Sequence, residues 1–149
     1  MLRNLDPLLT PELLYVLAAM GHGDEIVVCD ANFPAESVAL RTAHGSVVRL
    51  PGADATAAAR GILSLLPLDE FVDTPAFRME VVGDPEAIPD VQREVQAEVD
   101  RAAGRSWPLG SIERFAFYEA AKSAYAIVAT GERRFYGCFI FKKGVIPPS

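Results

Sequence analysis

The sequence predicts a single α/β domain over residues 1–149, built on a mixed sheet of about six strands. Segments whose apolar residues recur at helical spacing alternate with short apolar runs typical of strands along most of the chain. The length of 149 residues fits one compact domain rather than two. Half of the residues are hydrophobic and 23% are charged, so the chain can bury a sizeable core.

The first half of the chain is predicted to contain two helices. The Thr-Pro-Glu sequence at residues 10–12 is typical of a helix start, because it supplies a capping hydroxyl, a proline in the first turn and an acid at the positive helix end. We expect this helix to stop at Gly21. Asp54 caps a second helix that ends before Pro67. Three apolar runs are predicted as strands: residues 25–29, residues 46–50 and, as a third candidate, residues 37–40.

The second half is predicted to contain a longer helix and a short one. The helix at residues 89–103 carries Val91, Val95 and Val99 at a spacing of four with charges between them, so most of its surface is expected to face solvent. The short helix covers residues 115–122. Strands are predicted at residues 77–82, 125–129 and 138–141, the last two joined through residues 130–132.

Composition limits the partners of the protein. A formal charge of -6 argues against nucleic acid. The N-terminus is no signal peptide, and no stretch approaches the ~20 apolar residues that a membrane span needs. Cys29 and Cys138 lie in apolar runs, which favours buried free thiols and a soluble cytoplasmic protein. The strand at residues 138–141 is apolar on both sides, so we expect self-association.

His22 is the first candidate for chemistry. It lies between Gly21 and Gly23, whose backbone freedom lets the imidazole be aimed where a regular element could not aim it. Histidine changes charge near neutral pH and can move protons. Asp30 follows at the exit of the predicted strand. The alternative is that Gly21 only stops a helix and His22 is an exposed loop residue.

Two further groups of residues could contact a ligand. Arg114 and Tyr118 are four residues apart and would share one helix face, where a guanidinium and a phenol suit a ligand with several hydroxyls. Tyr136 and Gly137 lie where a loop becomes a strand, so the phenol and the bare backbone could meet a ligand. Alternatively, Arg114 pairs with nearby acids, Tyr118 is half-buried core and Tyr136 anchors a hairpin.

Other kinds of site find less support. His22, Asp24 and Asp30 lack the spacing of a known metal pattern, so no metal is expected. The glycines at 131 and 137 lack the Gly-Lys-Ser/Thr of a phosphate loop. There is no Gly-x-Ser-x-Gly elbow, and His44 beside Gly45 is interpreted as a turn residue.

Several ordered motifs resemble the L-fucose mutarotase and D-ribose pyranase family (RbsD/FucU-like), and the resemblance runs from about residue 2 to residue 147. They are Pro-Glu-Leu-Leu at 11–14, Met-Gly-His-Gly-Asp-Glu at 20–25, Asp-Ala-Asn-Phe-Pro at 30–34, Arg-Phe-Ala-Phe-Tyr-Glu at 114–119, Thr-Gly-Glu at 130–132, Tyr-Gly at 136–137 and Lys-Lys-Gly-Val at 142–145. The segment at 114–119 is similar to the fucose branch, since the ribose branch usually has histidine where Arg114 stands.

The resemblance implies a three-layer α/β/α fold, a ring-shaped homo-oligomer that is commonly a decamer, and interconversion of sugar anomers without cofactor or metal. His22 matches the proton donor of the family. The sugar-binding positions implied are Asp30, Arg114, Tyr136 and Gly137, with Tyr118 inside the same motif. Cys138 departs from the family, which usually has asparagine there. If the family uses the backbone at this position, little changes; if it uses the amide side chain, a sugar hydroxyl loses a partner and the preference for fucose is in doubt.

Anomer exchange requires proton transfer at the ring oxygen and the anomeric hydroxyl, and we expect His22 to carry it while the other residues hold the ring. A five-residue strand spans roughly 16 Å, so His22 and Asp30 could lie at opposite strand ends. Either the glycines fold His22 back, or neighbouring subunits supply the two residues; in both cases the site is expected near a subunit boundary. The competing hypotheses are a non-catalytic monosaccharide-binding accessory of sugar uptake and a structural ring protein with a degenerate pocket.

Overall fold

The computed structural model describes residues 1–149, with five helices and six strands. Their order is α1 (Pro11–Ala19), β1 (Glu25–Cys29), α2 (Ala35–Ala39), β2 (Val47–Leu50), α3 (Ala55–Leu63), β3 (Ala76–Met79), α4 (Asp90–Ala103), β4 (Gly110–Ile112), α5 (Arg114–Lys122), β5 (Ala126–Thr130) and β6 (Phe139–Lys142). Thr10 and Asp54 cap α1 and α3 through their side chains, as predicted. No helix has the length and apolar character needed to cross a bilayer.

The six strands form one mixed sheet in the order β2-β5-β1-β6-β3-β4. β1 runs parallel to β5, which runs parallel to β2. β6 is antiparallel to both of its neighbours, β1 and β3, while β3 and β4 are parallel. The strands at the chain's C-terminal end, β5 and β6, therefore do not pair with each other, because β1 lies between them.

Helices cover both faces of the sheet. Ile26 and Val28 of β1 pack in a core of 25 buried residues with side chains of α1, α3 and α4. Val27 and Cys29 point to the other face, into a core of 12 buried residues with α2 and α5. This alternation along one strand is what a sheet buried on both sides requires. The predicted three-layer α/β/α fold with a mixed sheet of six strands is confirmed.

Some predicted elements were wrong or missing. Residues 37–40 are not a strand: Val38 and Ala39 bury one side of the short helix α2. The strand expected at 77–82 ends at Met79, and β4 was not predicted because three residues of mixed polarity give no periodic signal. The helix α4 is more buried than expected, since Gln92 and Glu98 are enclosed along with its three valines.

The topology sorts the loops to two edges of the sheet. At the Asp30 edge, β1, β5, β3 and β4 end and β6 begins, which places the segments at 30–34, 113–118 and 131–138 together. At the His22 edge, β1 and β3 begin and β6 ends, which places the segments at 21–24, 68–75 and 143–146 together. Crevices at the carboxyl ends of strands are the usual ligand sites of α/β sheets, so the Asp30 edge is the natural place for a pocket.

Candidate active site

A cavity of about 320 Å³ opens at the Asp30 edge. Five of the residues that the sequence singled out line it: Asp30, Arg114, Tyr118, Tyr136 and Cys138. The remaining lining residues are Asn32, Phe33, Met79 and Phe135. A guanidinium, two phenols and a carboxylate beside aromatic rings are the groups expected around a small ligand with several hydroxyls.

Asp30 organises the wall of this cavity. Its side chain is buried, and Oδ1 accepts hydrogen bonds from the backbone N–H groups of Asn32 at 3.0 Å and Phe33 at 3.1 Å. Oδ2 accepts from the N–H of Gly137 at 3.1 Å and from the thiol of Cys138 at 3.4 Å. A carboxylate has about four acceptor positions, so Asp30 ties the loop after β1 to the start of β6. The thiol is the weakest donor, which makes Oδ2 the place where a ligand hydroxyl can enter.

Cys138 is a thiol rather than a thiolate in this environment. Burial raises the pKa of the Cys138 thiol well above its usual value, and the neighbouring Asp30 carboxylate raises it further. The sulfur therefore keeps its proton and donates it to Asp30. Cys29 is also buried and unpaired, so both cysteines are free thiols, as predicted.

Arg114 and Tyr118 share one face of α5, as their spacing predicts. Arg114 Nε donates to Tyr118 Oη at 2.9 Å, and this partner is a phenol instead of the acid that the alternative interpretation required. The guanidinium is exposed and keeps its other N–H groups for a ligand. Glu113 caps the helix by accepting from two backbone N–H groups, which lower the pKa of its carboxyl. The cap fixes the position at which Arg114 leaves the helix.

Tyr136 and Gly137 have unusual backbone requirements. Tyr136 has a φ of 62°, in the left-handed region that residues other than glycine rarely adopt. Its phenol oxygen accepts from the N–H of Val82 at 3.2 Å. At Gly137 a Cβ atom would lie 2.9 Å from a side-chain carbon of Glu132, so a larger residue would have to displace that side chain. Strained backbone of this kind tends to occur at functional sites.

His22 lies at the other edge of the sheet. Residues 21–24 form a turn in which Asp24 N–H donates to Gly21 C=O at 3.1 Å, and Gly23 has the φ of 87° that a type II turn requires at its third position. Lys143 fixes the turn through two backbone hydrogen bonds of 2.8 Å, to Gly23 and Asp24. The imidazole itself is 45% exposed. The turn leaves it exposed at the edge of the sheet opposite the cavity, whose lining does not include His22.

Asp69 orients this imidazole, and the sequence analysis missed it. His22 Nε2 lies 3.0 Å from Asp69 Oδ1, which also accepts from the N–H of Phe71 at 3.1 Å. Burial acts to raise the pKa of Asp69, but the hydrogen bonds from Phe71 and His22 outweigh it, and the pKa is lowered. The two residues are 47 positions apart, so no local motif links them. Only the strand order brings them to one edge.

An ionised Asp69 fixes the tautomer of His22. A carboxylate only accepts, so the proton of the neutral imidazole is on Nε2. Nδ1 makes no hydrogen bond within the chain and can take up a proton from outside. The ring of Phe71, which is 76% exposed, lies 5.3 Å from the imidazole. The arrangement suits an imidazole that exchanges protons with a group supplied by another molecule.

The chain does not bring His22 to the cavity. The imidazole precedes β1 and Asp30 follows it, so the strand of five residues, roughly 16 Å long, separates them. His44, in contrast, lies in the loop before β2 with its Nε2 3.0 Å from Glu12, which fits its interpretation as a turn residue. The structure has no group of three or more histidine, cysteine, aspartate or glutamate residues able to hold a metal ion.

A second, larger cavity of about 650 Å³ lies on the other side of Phe33. It shares Asp30 and Phe33 with the first cavity, but its other two charged side chains, Glu36 and Arg49, are exposed and paired with each other at 2.5 Å. The smaller cavity is the better candidate, because its polar groups converge and most of them were expected from the sequence.

Comparison with known proteins agrees with the resemblance noted in the sequence. The model of the RbsD / FucU transport protein family matches residues 3–146. Fucose mutarotase of Homo sapiens is 46% identical over 149 residues, which cover 97% of this chain and 94% of the human protein.

Solved structures place the chain nearer to one branch. The crystal structure of the fucose mutarotase from Streptococcus pneumoniae in complex with L-fucose has a TM-score of 0.87 and 36% identity, and covers 98% of this chain and 100% of that one. Bacillus subtilis RbsD complexed with D-ribose has a TM-score of 0.71 at 20% identity, covering 99% of this chain and 100% of that one, which is a likeness of fold alone. The chain belongs to the RbsD / FucU transport protein family.

Proposed function

We propose that this protein is a mutarotase that interconverts the α and β anomers of a free monosaccharide, with L-fucose as the preferred sugar. The observation that carries the proposal is the convergence of Asp30, Arg114 and Tyr136 on one cavity, in a chain that is 46% identical to a fucose mutarotase. Residues 1–149 act as one sugar-binding domain.

The reaction needs only proton transfers. The ring oxygen gains a proton while the anomeric hydroxyl loses one, the ring opens to the aldehyde, the C1–C2 bond rotates, and the steps reverse. General acid–base catalysis of this kind typically contributes ~10²–10⁴-fold. That factor corresponds to roughly 3–5 kcal/mol of barrier. An imidazole that alternates between its neutral and protonated forms can serve in both directions.

The residues divide into a binding group and a proton-transfer group. Arg114 and Tyr136 orient the sugar ring, with Tyr118 holding the guanidinium of Arg114 in place. Asp30 Oδ2 accepts from a sugar hydroxyl beside the Cys138 thiol and the Gly137 backbone. His22, oriented by Asp69, is the acid and base.

His22 works in the pocket of a neighbouring subunit. Support comes from the outward imidazole and from exposed aromatic rings near both parts of the site: Phe71 beside His22, and Phe115 and Phe135 beside the cavity. Large exposed apolar side chains of this kind often mark surfaces between subunits. A closed ring gives every subunit the same pair of neighbours. The decamer implied by the resemblance is the assembly that we propose, and the two buried free thiols fit the reducing cytoplasm.

Magnetisation-transfer NMR on free sugars tests the proposal. The anomer exchange rate of L-fucose is measured with and without the protein, beside D-ribose and other five- and six-carbon sugars. We expect catalysed exchange, fastest with L-fucose. If no sugar exchanges faster with the protein, the protein is not a mutarotase. If only D-ribose exchanges faster, the proposed reaction stands but L-fucose is not the preferred sugar.

A second function, sugar binding without catalysis, is favoured by one observation: His22 lies outside the cavity of its own chain. A binding accessory would need Asp30, Arg114 and Tyr136 but no titrating imidazole. Saturation-transfer NMR that detects L-fucose binding while the exchange rate stays at the uncatalysed value would select this function.

A further inference from the structure

Tyr136 is held from both ends by parts of the chain that do not touch the cavity. Its left-handed backbone is unfavourable for a tyrosine and persists only where the surrounding structure fixes it. The phenol oxygen is fixed by Val82 N–H, from the loop at residues 80–89. The carbonyl oxygen of Tyr136 accepts from the side chain of Gln92, on α4.

Gln92 is fully buried and uses every part of its amide. Nε2 donates to the carbonyl of Met79, where β3 ends, at 2.7 Å and to the carbonyl of Tyr136 at 3.1 Å. Oε1 accepts from Nη1 of Arg78 at 3.2 Å. The reversed amide would place an oxygen against two carbonyls and an NH₂ group against a guanidinium, so Arg78 fixes which end faces Tyr136.

Arg78 also fixes the second support of Tyr136. Arg78 is 7% exposed, and its guanidinium donates only to uncharged oxygens. Besides Gln92 it donates to the carbonyl of Pro85 at 3.0 Å and to that of Ala87 at 3.4 Å, both in the loop that carries Val82. One buried side chain therefore holds the amide behind the Tyr136 carbonyl and the loop that meets the Tyr136 phenol.

We propose that Arg78 and Gln92 are positioning residues, which hold Tyr136 in the left-handed conformation that presents its phenol to the sugar. The inference rests on the proposed function, because Tyr136 is a binding residue only there. Stability alone is a poor reason for the pair. Burying a charge without an opposite charge is costly, and the other buried polar residue of α4, Glu98, is paired with two arginines.

The test compares Gln92→Met with a matched control on the same helix, Val95→Ala. Both positions are fully buried, but Val95 packs in the core and makes no contact with Tyr136. For Gln92→Met we expect the KM for L-fucose to rise roughly 10- to 100-fold with a smaller change in kcat, because a binding group is misplaced. Val95→Ala should lower the melting temperature, because it leaves a cavity in the core. It should leave KM within about 2-fold, because Val95 does not hold the phenol of Tyr136.

A second readout separates this inference from the proposed function. In a crystal structure of Gln92→Met, Tyr136 should leave the left-handed region or its phenol should leave Val82, whether or not any sugar is turned over. If the wild-type protein accelerates no anomer exchange, the proposed function fails and this readout alone decides. An unchanged Tyr136, or an equal rise in KM for Val95→Ala, overturns the positioning role.

Gln92→Glu keeps the test decisive if the methionine variant does not fold. A carboxylate at this position pairs with Arg78, which favours folding, but offers no donor to the Tyr136 carbonyl. We expect the same rise in KM. A folded Gln92→Glu protein with wild-type KM and kcat contradicts the proposal.

Discussion

The two edges of the sheet differ in how completely each is built. At the Asp30 edge, four donors meet the buried carboxylate of Asp30, and a cavity lies directly outside it. At the His22 edge, the imidazole has one partner, Asp69, and is 45% exposed beside an exposed phenylalanine. The first edge surrounds a cavity with fixed polar groups, whereas the second exposes an oriented imidazole, and our proposal makes the first the sugar-binding half and the second the proton-transfer half of one site.

If the proposed function holds, the contrast explains why the reaction would need more than one copy of the chain. Binding needs several groups fixed around a cavity, and these come from loops at one edge of the sheet. Proton transfer needs one oriented imidazole, and a single turn with one supporting carboxylate supplies it. In the assembly that we propose, identical chains would place each imidazole at a neighbour's cavity without any further element.

Removing the imidazole should give the largest effect. We expect His22→Ala to slow L-fucose exchange by ~10²–10⁴-fold, because general acid–base catalysis is lost, while L-fucose still binds. The measurement is magnetisation-transfer NMR for exchange together with saturation-transfer NMR for binding. His44→Ala is the control, since His44 pairs with Glu12 in the loop before β2 and neither binds Asp69 nor lines the cavity. Full exchange by His22→Ala would contradict its catalytic role.

Removing the charge of Asp69 should give the next largest effect. In Asp69→Asn the amide no longer fixes the proton of His22 on Nε2, so we expect exchange to fall roughly 10- to 100-fold with binding unchanged. The lowered pKa of Asp69 keeps it ionised above its ordinary value of 3.8, and the His22–Asp69 pair is lost only as the pH falls through the lower folded value. The exchange rate of the wild-type protein should therefore show no titration of Asp69 between pH 5 and 8, because that whole range lies about one unit or more above the ordinary pKa of 3.8. Loss of binding in Asp69→Asn would place Asp69 in the binding group instead.

Truncating Arg114 should affect binding more than catalysis. Hydrogen bonds to a charged group are worth about 1.5–3 kcal/mol, so we expect Arg114→Ala to raise KM roughly 10- to 100-fold with a smaller change in kcat. Arg49→Ala is the matched control, because Arg49 belongs to the larger cavity and pairs with Glu36. A raised KM for Arg49→Ala with a normal KM for Arg114→Ala would place the sugar in the larger cavity.

Changing a charge remote from both edges should alter stability alone. Glu98 is 5% exposed and pairs with Arg60 and Arg101; burial acts to raise its pKa, but these bonds outweigh it and the pKa is lowered. Its contribution is therefore complete above the ordinary value of 4.5 and is lost as the pH falls through the lower folded value. In urea unfolding, Glu98→Gln should lower the free energy of unfolding by about 1–3 kcal/mol at neutral pH. The free energy of unfolding of this variant should also depend less on pH in acid. Exchange should stay at the wild-type rate; a reduced rate would link the α3–α4 layer to the site.

The sequence predicted the Asp30 edge better than the His22 edge, for a physical reason. Asp30, Arg114 and Tyr136 each lie in a short local pattern, and the strand directions then bring those patterns together. Asp69 and Gln92 act through side chains whose partners are 47 and 44 positions away. Such contacts can be predicted only once the strand order β1-β6-β3 is known.

The same reason explains the errors in secondary structure. The short strand β4 exists because it pairs with β3, and its three residues carry no periodicity. Residues 37–40 were interpreted as a strand because the segment is too short to separate the two periods. In the structure the segment is helical, and the helix buries Val38 and Ala39 on one side.

Mixed assemblies test most directly whether the two edges of different chains form one site. His22→Ala and Arg114→Ala chains are co-expressed with different tags, and doubly tagged assemblies are purified. Exchange is measured at an L-fucose concentration well below the wild-type KM, where each variant alone is slow. If His22 serves a neighbour's cavity, random mixing gives about a quarter of the sites both a native His22 from one chain and a native Arg114 from the other. L-fucose exchange should then recover to about a quarter of the wild-type rate. If His22 serves its own chain, no site is whole and the mixture stays as slow as its two components, which would contradict the shared site.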